Sequence, residues 1–322
     1  MGKRCTIVIT LLFGFLSVAF ALGSCACLTY TEKTPAVAEA ASVLRLRGHV
    51  QQLCRVPRYG ETIQHAREYI AAQLKQAGFE PRWQYFEVDG EKRVNISVSI
   101  PGRSPQRYVI GAHYDACEGE PSNPGADDNA GAVSVLLELA RSLGPAAVGE
   151  YGLELVFYDC EEPPWFGTQD MGSARHASTC SPETVRGMVC LEMLGYYSDE
   201  PGSQPSLFAG SRLLLPSKGN FVAVVGDLSA VSLARRAYRF LSADMAALRL
   251  NVPWAHDTAL YFSDHRNYEP LGIPSIMITD TAMLRNSNYH TPGDTPETLD
   301  YNRMALVSRN IQRFVRSLAE GK

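Results

Sequence analysis

The chain has 322 residues, 45% of them hydrophobic and 20% charged, and a formal net charge of -4 at pH 7. That composition suits an ordinary globular protein with one large core or at most two. There is no long basic or acidic run, so a nucleic-acid partner is not expected.

Residues 1–25, MGKRCTIVITLLFGFLSVAFALGSC, place Lys3 and Arg4 before an apolar run from Ile7 to Leu22, closed by small residues. Such an arrangement predicts a secretory signal over 1–24 rather than a retained span, because the apolar run is short for crossing a bilayer. Leu22-Gly23-Ser24-Cys25 also resembles a bacterial lipobox. Cys25 is therefore expected to carry a lipid that tethers the mature chain to a membrane surface, with plain secretion as the alternative. Cys27, Cys54, Cys117, Cys160, Cys180 and Cys190 follow without a CxxC pair. An exported chain could pair some of them, but spacing does not specify which.

Residues 25–44 read as a polar, Ala-rich linker, and 45–322 as one domain. In ETIQHAREYIAAQLKQAGFE, Ile63, Ala66, Ile70 and Leu74 fall at helical spacing and Gly78 ends the run. RVNISVSIPG and RYVIGAHYD read as strands, and NAGAVSVLLELARSLG as a helix stopped at Gly144. YGLELVFYDCEE, GMVCLEMLG, NFVAVVGD and GIPSIMITDT read as further strands. A closing helix carries Met304, Val307, Ile311, Phe314 and Leu318 on one stripe. Near-continuous apolar strands separated by helices predict an α/β fold. Its central sheet is mixed and mainly parallel, with helices on both faces.

Acids and histidines gather at the ends of these strands. His113 and Asp115 end one; Glu161 and Glu162 follow another; Glu192 ends a third; His290 lies beyond the last. In open α/β sheets the ligand crevice lies outside the carboxyl ends of the strands, so these side chains should meet. Taken singly, each has an ordinary structural explanation. Asp127 or Asp128, for example, could cap the helix that begins with NAGA. Together they suit Zn²⁺ held by nitrogen and oxygen. There is no GxSxG elbow, Walker A loop, strand-borne GxGxxG or HExxH helix.

At GAHYD, PGADDNAGA, FYDCEE, CLEMLGYYSD, FSDH and YHTPGDTPETLDY, in this order, the sequence resembles the secreted co-catalytic dizinc exopeptidases. That family includes bacterial leucine-type aminopeptidases and glutamate carboxypeptidase, and the likeness covers roughly 50 to 320. It implies the zinc-exopeptidase (phosphorylase/hydrolase-like) fold, peptide substrates and two zinc ions. His113 and Glu192 would hold one ion, Glu162 and His290 the other, and Asp128 would bridge them. Glu192 departs from the Asp common in the family. Glu161 would be the general base, Asp115 would assist by orienting His113, and Asp264 would play a supporting part; His256 and His265 read as structural. Arg285 and Tyr289, just before His290, are candidates to bind a substrate carboxylate and a developing oxyanion. Trp254 and the long irregular segment after Tyr197 should shape the pocket. The related animal glutaminyl cyclases are the rival reading: EEPPWFGTQDMGSARHA resembles their corresponding stretch. They usually carry Trp before the final His, where this chain has Tyr289. Carboxypeptidase or dipeptidase action, or a non-catalytic zinc-binding domain, is the second alternative. The lipid anchor is the one membrane contact expected.

Overall fold

The computed structural model describes residues 27–119, 122–205, 216–253 and 261–321. The signal segment, Cys25, Trp254 and His256 lie outside the described residues.

The strands are β1 (Cys27–Thr31), β2 (Arg82–Val88), β3 (Glu91–Ile100), β4 (Arg107–His113), β5 (Gly152–Tyr158), β6 (Val185–Glu192), β7 (Val222–Gly226), β8 (Ala247–Asn251) and β9 (Ser275–Thr279). They form one nine-stranded sheet in the order β1-β8-β7-β9-β6-β4-β5-β3-β2. Its centre, β9-β6-β4-β5, is parallel throughout. β7 joins that block antiparallel to β9, and β3 joins it antiparallel to β5. The central strands are apolar on both sides because both sides are covered: every residue of β5 is buried.

The helices are α1 (Ala40–Leu53), α2 (Ile63–Gln76), α3 (Ala132–Leu143), α4 (Gly172–Ala177), α5 (Val231–Leu241) and α6 (Tyr301–Glu320). Both faces of the sheet are covered, but unequally. Leu46, Ile70, Leu136, Leu241 and Phe314, from α1, α2, α3, α5 and α6, share one core with Ile110, Leu155 and Ile278 of the sheet. The opposite side of the same strands, including Val109, Val156 and Met188, packs against Ala177 of α4 and the loop residues Tyr268 and Ile273.

The amino-terminal boundary differs from the expectation of a linker over 25–44. Cys27–Thr31 pairs antiparallel with β8, from Cys27 opposite Asn251 to Thr31 opposite Ala247. Leu28 and Tyr30, two apart, turn to one face and pack on the second core. α1 begins at Ala40 and buries Leu46, His49, Val50 and Leu53, a helical stripe. β2 and β8 are further strands that the sequence reading did not assign. β2 forms a hairpin with β3 through Asp89-Gly90, both at positive φ (50° and 78°), the turn chemistry of a two-residue hairpin. The six described cysteines are all free thiols.

Candidate metal centre

Because β9, β6, β4 and β5 are adjacent and parallel, their carboxyl ends open on one crevice. His113 and Glu192 are the last residues of β4 and β6. The chain bends sharply beyond β5 and β6, with Cys160 at φ 58° and Met193 at φ 41°. Such left-handed backbone is costly for a residue with a side chain, and it persists where surrounding contacts fix it. Asp115 fixes the first bend: its Oδ1 accepts from the Glu161 N–H (3.2 Å) and its Oδ2 from the Glu162 N–H (3.0 Å). The same Oδ1 lies 3.4 Å from His113 Nδ1, which leaves Nε2 facing the crevice.

Asp128 arrives from the turn Ala126–Gly131, ahead of α3. Asp128 (φ -103°, ψ 88°) and Asn129 (φ -132°, ψ 29°) are not helical there. Neither Asp127 nor Asp128 caps α3. The two acids point different ways. Asp127 Oδ1 accepts from the Gly195 N–H and its Oδ2 from Asn286 Nδ2, so it ties loops together. Asp128 faces both histidines: Oδ1 is 3.3 Å from His113 Nε2 and Oδ2 is 3.1 Å from His290 Nε2. Glu192 Oε2 lies 3.5 Å from His113 Nε2, and Glu162 Oε2 lies 3.0 Å from His290 Nε2. The structure thus brings His113, Asp128, Glu162, Glu192 and His290 together as two groups that share Asp128. Glu161 stands at the edge of the first, its Oε2 3.9 Å from His113 Nε2.

A scaffold unforeseen in the sequence holds the turn. Asp294 Oδ1 and Oδ2 accept from the backbone N–H groups of Asp127 (2.9 Å) and Asp128 (3.0 Å). The buried Arg58 donates to the carbonyls of Tyr114, Pro124, Gly125 and Asp128. Gly125 has φ 60°, and a Cβ there would sit 2.3 Å from the Asp128 carbonyl oxygen, so only glycine fits. Asn129 donates to the Leu191 carbonyl and accepts from the Met193 N–H, bracketing Glu192. Ser263 donates to Glu192 Oε2 at 2.5 Å. Its neighbour Asp264, expected to support the site, is fully buried, and burial raises its carboxyl to about 7 against the opposing pull of His113. A lone Arg, Ser or Asn in a loop gives no sequence signal for such work; the HTPGD context of Asp294 was the nearest one.

Arg285 is corrected by the structure. It is 7% exposed, and its guanidinium donates to Gln204 Oε1 and to the carbonyls of Tyr196 and Phe221. It also packs over the Phe221 ring at 4.6 Å. Nearness in sequence to His290 suggested a substrate contact, but left-handed backbone at Thr281 (φ 87°) and Ala282 (φ 48°) turns the segment inward. Tyr289 does reach the site: its ring stacks on that of His290, centroids 3.7 Å apart. His265 is buried against the Tyr261 ring.

So many buried acids repel one another. Burial raises Glu161 and Glu192, and it raises Glu162 to about 7 with the Asp128 charge adding to the effect. Burial acts the same way on Asp128, yet the two imidazoles hold it far below the usual range. Both histidines are raised, the neighbouring carboxylates outweighing burial. A divalent cation would neutralise this crowding. His290 Nε2 and Glu162 Oε1 are buried without a hydrogen-bond partner. Imidazole and carboxylate donors converging without hydrogen-bond geometry fit zinc.

The model for peptidase family M28 matches residues 95–315. The chain belongs to that family. Zinc is the metal that M28 membership implies. This M28 peptidase is 38% identical over 285 residues to the uncharacterized protein YfbL of Escherichia coli (strain K12), covering 85% of this chain and 87% of YfbL. It is 27% identical over 241 residues to the probable leucine aminopeptidase 1 of Trichophyton verrucosum, covering 70% of this chain and 58% of that protein. The chain therefore spans a little over half the length of that relative. Among solved structures, the Porphyromonas gingivalis glutaminyl cyclase superposes with a TM-score of 0.62 at 20% identity, covering 86% of this chain and 98% of the other. A Zn-dependent exopeptidase from Parabacteroides distasonis superposes with a TM-score of 0.61 at 20% identity, covering 87% and 98%. At such identities the likeness is one of fold.

Proposed function

We propose that this M28 peptidase is an aminopeptidase that uses two zinc ions and removes apolar residues from the free amino ends of peptides. The observation that carries the proposal is the paired donor set: His113 and Glu192 on one side, Glu162 and His290 on the other, Asp128 between them at 3.3 and 3.1 Å. Bound zinc supplies Lewis acidity, acidifying the attacking water and polarising the scissile carbonyl. The residues do the rest. Glu161 accepts the proton of the attacking water and delivers it to the leaving amine. Asp115 holds the backbone of both glutamates and orients His113. The Tyr289 hydroxyl donates to the developing oxyanion.

Beside Glu192 an apolar pocket opens, lined by Phe221, Val225, Leu248, Leu250, Met277 and Met283. Gln204, Thr279 and Thr281 complete the lining, but its mainly apolar wall favours Leu, Met or Phe as the residue removed, because it offers no opposite charge to a buried acid.

The deciding experiment is a substrate panel on the purified full chain with its metal quantified. Leucyl peptides with a free amino end should be cleaved about 100-fold faster than aspartyl ones, and blocked peptides not at all. Conversion of glutaminyl peptides to a cyclic product, or release from the carboxyl end, would refute the reading. Close to two zinc ions per chain are expected. We further propose export and lipid attachment at Cys25, which the intact mass of the membrane-extracted protein checks; a lipid-free chain starting beyond Cys25 would remove that part.

A further inference from the structure

Beyond the five residues of the paired set and Glu161 at its edge, the crevice holds a thiol. Cys117, four residues beyond His113, is 8% exposed. Its Sγ, a Glu162 carboxylate oxygen and a His290 ring nitrogen lie within 4.8 Å of one another. Among the described residues its thiol meets the Glu118 carbonyl at 3.8 Å, a weak contact for a thiol, and the ring of His290. Glu162 is itself 3% exposed, and its Oε1 lacks a hydrogen-bond partner. A buried thiol, a carboxylate oxygen and an imidazole nitrogen thus lie close together, on residues of which Glu162 keeps an unpaired oxygen and His290 an unpaired Nε2. A soft metal with nitrogen, oxygen and sulfur donors is the occupant that satisfies all three.

We propose that Cys117 is a thiolate ligand of the zinc held by Glu162 and His290, so that the two zinc positions are chemically unequal. This rests on the two-zinc reading above. With Asp128 contributing to both positions, the Glu162/His290 position then has four protein donors, the number of a closed tetrahedral site. The His113/Glu192 position has three, the number that leaves room for a reacting water, and it is the one beside Glu161. Cys117 thereby divides the labour: one zinc is held tightly, and its neighbour is left open where the base stands. On binding, the S–H bond gives way to a sulfur–zinc bond, and the proton passes to solvent. Sulfur also sets metal choice, favouring zinc and cobalt over manganese or magnesium at that position.

The test uses the full chain and needs no substrate. Metal-free protein is loaded with cobalt(II), and its near-ultraviolet absorption is compared with that of Cys117→Ser. The wild-type chain should show a thiolate-to-cobalt charge-transfer band that Cys117→Ser lacks. Separately, Cys117 in metal-free and zinc-loaded wild-type protein is alkylated with iodoacetamide and followed by peptide mass. Zinc should slow its modification about 10-fold or more, since thiolate reactivity needs a free sulfur. Absence of the band, a band that survives Cys117→Ser, or alkylation equally fast with and without zinc would overturn the inference. A chain that binds two metal ions yet shows no thiolate band loses this inference and keeps its proposed function. A chain that binds no metal loses both.

Discussion

Glu161→Gln should nearly abolish turnover while both metals stay bound. The geometry separates the two adjacent glutamates. Glu162 Oε2 is 3.0 Å from His290 Nε2, inside the donor group, whereas Glu161 Oε2 is 3.9 Å from His113 Nε2, at its edge. Asp115 grips both residues by their backbone N–H groups, so a side-chain amide at 161 leaves the main chain in place. Gln keeps the shape of Glu but cannot accept a proton. Loss of a general base typically costs about 10²–10⁴ in rate, or about 3–5 kcal/mol of barrier. Glu162→Gln removes a negative donor and should release metal from the His290 side. The assay is kcat on a leucyl peptide together with zinc content for both variants. Near-normal kcat in Glu161→Gln would refute the mechanism. Equal metal loss in the two variants would show that Glu161 is a ligand and not the base.

The other predictions follow from single contacts. Arg58→Met strands four carbonyl acceptors around Asp128; at about 1 kcal/mol each, melting should drop by roughly 10 °C, and an unchanged Tm would refute the scaffold role. Burial opposes a charged His176, but Cys180 and Glu154 hold it at about 9, above the ordinary 6.5. Its contribution is then complete below pH 6.5 and lost by about pH 9, worth about 3 kcal/mol; the fall in Tm across that window should be shallower in His176→Gln, and parallel curves would sink the idea. Tyr289→Phe should lower kcat with little effect on KM; a change confined to KM would instead make Tyr289 a binding residue.

The gathering of acids and histidines at the strand ends was legible because the physics that buries a parallel strand also marks its end. An apolar run such as that of β6 stops where a charged residue can be tolerated, and Glu192 stands there. Doubly wound topology then brings such ends to one edge without any long-range information. The margin of the sheet carries no such mark. The edge strand β1 and its neighbour β8 are short, and they are joined across a long stretch of chain, Cys27 opposite Asn251. Their stability is a property of the pairing, so a local reading of Leu28 and Tyr30 gives only an alternation too brief to separate from a linker.

The division between Asp127 and Asp128 shows where local reading ends. Both acids precede NAGA, and both side chains suit a metal or a helix cap. What separates them is the backbone of one turn, fixed by Asp294 and Arg58, residues 166 and 70 positions from Asp128. Arg285 fails for the converse reason. Its place in sequence is beside His290, but two left-handed residues upstream carry its guanidinium to the Phe221 carbonyl. Chemical type and strand position thus select which residues can form such a centre; the direction each side chain takes is decided by loop backbone, and loop backbone is held by partners that no local pattern identifies.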